Sequence, residues 1–167
     1  MKKVHKILFS ISFVLLIISW VISLIYWGKL PSIIPTHFGF NGMPDAWNKK
    51  SILYTFLLPS VQALMFFIFL FLYYKPQYSN MPTTLWLTTL DKDKKEHAFN
   101  LIRIMHATIL IWINLLLTYM VYEMNESALS QKGLNPLIML TMLVIMLIFI
   151  VAWNIKIYKS TKEAMRK

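Results

Sequence analysis

Long apolar runs separated by short polar ones dominate this chain, and the spacing of the runs predicts its elements. Ile7 to Trp27 holds no charged residue, and at ~1.5 Å rise per residue it is long enough to cross a hydrocarbon core of ~30 Å. Its serines at 12, 19 and 23 fall on one narrow helical face, where a second helix can approach closely. Residues 52–74 form a second run, with Pro59 and Gln62 inside it. The proline removes one intrahelical hydrogen bond and predicts a kink. Pro76 to His97 is too polar to span, and Leu85, Trp86, Leu87 and Leu90 within it are expected to lie on the membrane surface. Residues 98–122 make a third run. Residues 136–158 make a fourth, opened by a proline at a permitted helix start. The pattern predicts an all-α fold, an integral membrane four-helix bundle forming one domain over residues 1–167, with an ordered loop at residues 28–51 joining the first two helices.

Composition supports this picture, since 57% hydrophobic with 14% charged residues is far from soluble usage. A formal charge of +10 must then be read by position. The N-terminal arm, the 75–103 stretch and the tail from Lys156 hold 13 of the 17 Lys and Arg residues; Lys29, Lys49, Lys50 and Lys132 are the other 4. By the positive-inside rule both termini are expected in the cytoplasm and the 28–51 segment outside. The first run is too long for a signal-peptide core and no small-residue cleavage pattern follows it, so a retained signal anchor is expected. There is no cysteine, which excludes disulfides and thiolate metal sites; with Lys at position 2 as well, no lipid anchor is expected.

The chemistry concentrates in LPSIIPTHFGFNGMPDAWNKK, Leu30 to Lys50, where three of the seven prolines and two of the four glycines fall. The order Pro35, His37, Phe38, Gly39, Gly42, Pro44, Asp45, Trp47, Lys50 resembles the N-terminal domain of unknown function of SdpI-type bacterial membrane proteins. The likeness runs from about Ile17 to Lys50. Beyond Asp91 the glycine-rich signature of the SdpI C-terminal domain is missing, and a single glycine follows Gly42, so the chain resembles a short form of that family. The resemblance implies a multipass protein of the bacterial plasma membrane, with immunity to or sensing of a secreted toxic peptide through the outer loop. It also implies a cytoplasmic repressor as a further partner.

Nine residues of this loop are candidates for ligand binding: Pro35, His37, Phe38, Asn41, Gly42, Pro44, Asp45, Trp47 and Lys50. The structural alternative is that His37 and Asp45 only cap turns. Two donors fall short of a zinc set even with Glu123 and Glu126 nearby, so no metal and no cofactor is expected. Ser32 and Ser51 sit in no nucleophile elbow, and phosphate-cradling and nucleic-acid modules are absent, so neither an enzyme nor a nucleic-acid partner is expected. The fixed φ of three prolines predicts a preformed loop, its rings Phe38, Phe40 and Trp47 resting on the membrane interface or the helix ends.

A second constellation lies in the third run. Asn100, Arg103, His106, Asn114 and Thr118 share one helical face at ~100° per residue. Ionisable groups inside a span suggest a transport path, which makes a small transporter or transporter subunit the alternative function. The same residues also suit interhelical glue, with Arg103 reaching the interface. Arg103 and Asn154 are expected at similar depth, sharing hydrogen bonds directly or through water. A structural partner of a larger membrane complex is the third reading.

Overall fold

The computed structural model describes residues 2–79, 87 and 90–166. Its elements in chain order are α1 (Lys3–Trp27), β1 (Ile33–Phe38), β2 (Pro44–Lys49), α2 (Ile52–Tyr74), a short 3-10 turn (Pro76–Tyr78), α3 (Lys92–Ser130) and α4 (Pro136–Arg166). Among the described residues four helices are long and apolar enough to cross a membrane, which marks a multipass membrane protein. The all-α four-helix reading holds, with one addition. The segment between α1 and α2 is an antiparallel two-stranded hairpin.

Three helices outrun their apolar stretches, α1 by the four residues from Lys3 to Lys6. α3 begins six residues before position 98 and continues to Ser130, ending where Gln131 takes a left-handed φ of 55°. α4 runs on to Arg166. Lys, Glu, Ala and Met are good helix formers, so the backbone stays helical after the side chains have become polar. The neighbouring ends of the two apolar stretches pack on each other: Leu87, Ala98, Ile102, Met105 and Ile157 form one buried cluster, with Leu90 against it. This corrects the expectation for Leu87, which is 1% exposed and packed among these residues of α3 and α4. Leu85 and Trp86 lie outside the described residues.

α3 is the hub, packing on α1, α2 and α4. Its apolar stretch is 39% buried, whereas that of α4 has no buried residue, so α4 shows most of its surface to lipid. The serine face of α1 is the one turned inward, with Ser12, Ser19 and Ser23 all fully buried. Lipid offers no hydrophobic drive to bring helices together, so close packing and interhelical hydrogen bonds must do so. A polar seam supplies the bonds. Asn114 Nδ2 donates to Ser12 O (3.1 Å) and Ser12 Oγ (2.6 Å). Gln62 Nε2 donates to Asn114 O (3.0 Å) and Thr118 Oγ1 (3.1 Å). Thr118 Oγ1 donates to Leu15 O (3.2 Å), completing the link between α1, α2 and α3. Pro59 cannot donate to the carbonyl of Thr55 four residues before it; Ser23 Oγ donates there instead, at 3.5 Å. The small-residue face of α1 thus satisfies the group that the proline of α2 leaves open.

Arg103 and Asn154 do not share a bond. Arg103 Nε donates to Tyr73 O (3.1 Å) and its Nη1 to Glu96 Oε1 (2.6 Å), while Asn154 Nδ2 donates to Ile150 O of its own helix (2.9 Å). Each group meets a nearer partner first.

Replacing Asn114 by Ala removes donors to α1 and should lower the stability of the purified chain by about 1 kcal/mol, within the measured span for intramembrane hydrogen bonds. Unfolding in mixed micelles measures this, and an unchanged midpoint would show that the seam does not hold the bundle.

Candidate functional site

The hairpin is built from residues that fix its turn and both of its ends. Gly42 N–H donates to Gly39 O (2.8 Å) and Gly39 N–H to Met43 O (2.9 Å), closing a tight turn in which Gly42 takes a φ of 79°. A side-chain residue would be strained there. Asn41 Oδ1 accepts from Met43 N–H (2.9 Å), the local bond that favours Asn in turns. The strands pair from Ile33 opposite Lys49 to Phe38 opposite Pro44, with register shifts on either side of His37. Asn48 Nδ2 donates across the hairpin to Thr36 Oγ1 (2.8 Å). His37 Nδ1 and Asp45 Oδ1 form a second cross-strand bond, with both side chains more than half exposed. A hydrogen bond so open to water adds little stability.

Lys50 fastens the base of the hairpin. Its ammonium donates to Trp27 O (3.2 Å) and Leu30 O (3.1 Å) and lies 5.0 Å from the centre of the Trp27 ring. A cation here answers the carbonyls left open at the end of α1.

The tip is fastened to the loop between α3 and α4. Leu134 N–H donates to Gly42 O at 2.8 Å. A Cβ on Gly42 would stand 2.2 Å from Leu134 O, and one on Gly133 would stand 2.8 Å from Gly42 O. Only two glycines facing each other allow this approach.

Held at both ends, the hairpin roofs a cavity of about 350 Å³. β1 contributes Ile34, Pro35, Thr36, His37 and Phe38 to its wall. Thr55 of α2 and Asn125 of α3 add polar groups, and Met120, Met124 and Met139 line the side formed by α3 and α4. Such a site is mostly apolar with few polar groups, as ligand pockets are. Unbranched, polarizable methionines let the wall adjust to an occupant. Thr55 Oγ1 is buried and has no hydrogen-bond partner among the described residues.

The nine loop candidates therefore divide by role. Pro35, His37 and Phe38 line the cavity. Asn41 and Gly42 form the turn, Pro44 opens β2, Asp45 holds His37 and Lys50 anchors the base. Trp47 lies opposite Pro35 and is 45% exposed. Of the two seats expected for Phe40, the membrane interface and the helix ends, the second is not taken: the ring stands at the turn, fully exposed. Arg103, His106 and Asn114 are not brought to the cavity. His106 is buried edge-on against Phe69, 5.6 Å between ring centres. No group of three or more possible metal ligands occurs among the described residues. Sequence reasoning missed the methionine wall, although Met120 and Met124 sit one helical turn apart, and it missed Gly133 as the mate of Gly42.

Residues 14–63 match the family model of a domain of unknown function, DUF1648. No curated protein and no solved structure matches the chain. The DUF1648 segment takes in the second half of α1, the whole hairpin and the first half of α2. It contains the roof and one wall of the cavity, and α3 and α4 close the remainder.

Gly42→Ala should cost at least about 1–2 kcal/mol through its left-handed backbone alone, with the clash against Leu134 O added. Gly28→Ala, where nothing lies within 4 Å of the added carbon, is the control. Equal melting temperatures for the two variants would contradict the tip contact.

Proposed function

We propose that this chain is a bacterial plasma-membrane receptor for a secreted toxic peptide, conferring immunity or sensing, with an apolar side chain of that peptide entering the cavity under the hairpin. The observation that carries the reading is the cavity itself, roofed by the motif residues Pro35, His37 and Phe38. Burying one large apolar side chain there supplies about 1.5–3 kcal/mol. Around it, the exposed His37 and Asp45 offer hydrogen bonds, and Phe40 and Trp47 offer rings. A peptide that attacks membranes is amphipathic, and a site with an apolar centre and a mixed rim suits it. The asymmetry of Lys and Arg supports an outward hairpin and cytoplasmic termini, and the likeness to SdpI-type proteins supports the toxin class. The transport reading gains nothing from Asn114, Thr118 and Arg103, the first two engaged in bonds between helices and the third in an ion pair.

Growth of a sensitive bacterial host expressing the chain, challenged with a panel of secreted antimicrobial peptides, tests this. Protection against at least one peptide is expected, and Met124→Trp, which fills the cavity from α3, should abolish it at an unchanged protein level in the membrane. Protection by neither form, or by both equally, would overturn the reading.

A further inference from the structure

A second cleft, of about 440 Å³, lies at the end of the bundle away from the hairpin, where α1 begins, α2 ends and α3 enters. It is lined by Lys2, His5, Tyr73, Glu96, Asn100 and Arg103, with Tyr74 beside them. Its chemistry is that of an anion site. α1 starts at Lys3 with no side-chain cap and no acidic residue in its first turn, so its leading N–H groups and the positive end of its dipole are unanswered. His5 is the second, independent feature. The Tyr73 hydroxyl bonds His5 Nδ1 at 3.0 Å. Where the hydroxyl donates to Nδ1, the imidazole carries its hydrogen on Nε2. His5 is 1% exposed and Nε2 has no partner among the described residues, an arrangement that costs free energy unless something accepts the bond. Asn100 Oδ1 is buried and unpartnered as well, and a turned amide would present its NH₂ group instead. The one carboxylate in the cleft, Glu96, is already paired with Arg103 at 2.6 Å. That leaves the exposed ammonium of Lys2 as the uncompensated charge.

We propose that this cleft binds a phosphate group, carried by an anionic phospholipid of the adjoining leaflet or free in solution, through Lys2, His5 Nε2 and the first turn of α1. Tyr74, 63% exposed at the end of α2, stands where the glycerol of a lipid would lie.

The test uses the full chain, purified and delipidated in detergent, and native mass spectrometry with phosphatidylglycerol, phosphatidylcholine and inorganic phosphate as probes. Preferential retention of phosphatidylglycerol over phosphatidylcholine assigns the site to lipid. Retention of inorganic phosphate without lipid preference assigns it to the free ion. In either case Lys2→Ala should weaken binding about fivefold, the worth of one basic residue near a membrane surface. His5→Phe, which keeps a ring against Tyr73, should weaken binding as well. Lys6→Ala, outside the cleft, should leave binding unchanged. Because Lys2 is exposed, its removal does not endanger the fold. The proposal is overturned if neither probe is held selectively, or if Lys6→Ala weakens binding as much as Lys2→Ala, which would mean a diffuse basic surface in place of a site.

Discussion

The hairpin end of this molecule depends on one close backbone approach, Gly42 against Gly133 and Leu134. A two-stranded hairpin alone is marginally stable in water. Here its base is tied to α1 through Lys50 and its tip to the loop before α4 through Leu134 N–H. Two side chains of hydrogen size make the second tie possible. Without it the roof would hang from one end, and the cavity between β1, α2, α3 and α4 would have an open side.

The approach is useful only because the helix ends beneath it are fixed. That constraint comes from the membrane, where an unsatisfied backbone group is costly and no water can relieve it. The seam through Ser12, Gln62, Asn114 and Thr118 ties three helices together, and Ser23 serves the carbonyl freed by Pro59. α3, in contact with every other helix, carries the register of the bundle up to the wall formed by Met120 and Met124. Asn114 and Thr118, two of the α3 residues that sequence alone allows as a transport path, are thereby fasteners of the platform on which the hairpin sits.

The four helices were legible because charge-free runs of membrane length have few other structures open to them. Their ends were not, since hydropathy reports where the lipid stops and helix propensity does not stop there; the overhangs of α3 and α4 follow from that difference. The hairpin was hidden by its prolines. Pro35 and Pro44 lack the N–H that a central strand needs, but a two-stranded sheet has edges on both sides and Pro44 stands at a strand start, where proline is tolerated. The motif at 35–50 was legible as a site, yet its function as a roof was not, because Met124, Asn125 and Leu134 reach the cavity from about ninety residues away. Gly133 carried a readable hint as the lone glycine after Gly42, but nothing local in the sequence says which two glycines face each other.

Hydrogen exchange on the full chain in lipid nanodiscs, with no ligand added, tests most directly whether the hairpin is preformed and docked. Slow exchange is expected for the paired amides of residues 33–38 and 44–49 and for Leu134 N–H, whose acceptor is Gly42 O. Exchange at the rate of an unstructured peptide across the hairpin and at Leu134 would contradict a roof that stands over its cavity before any ligand arrives.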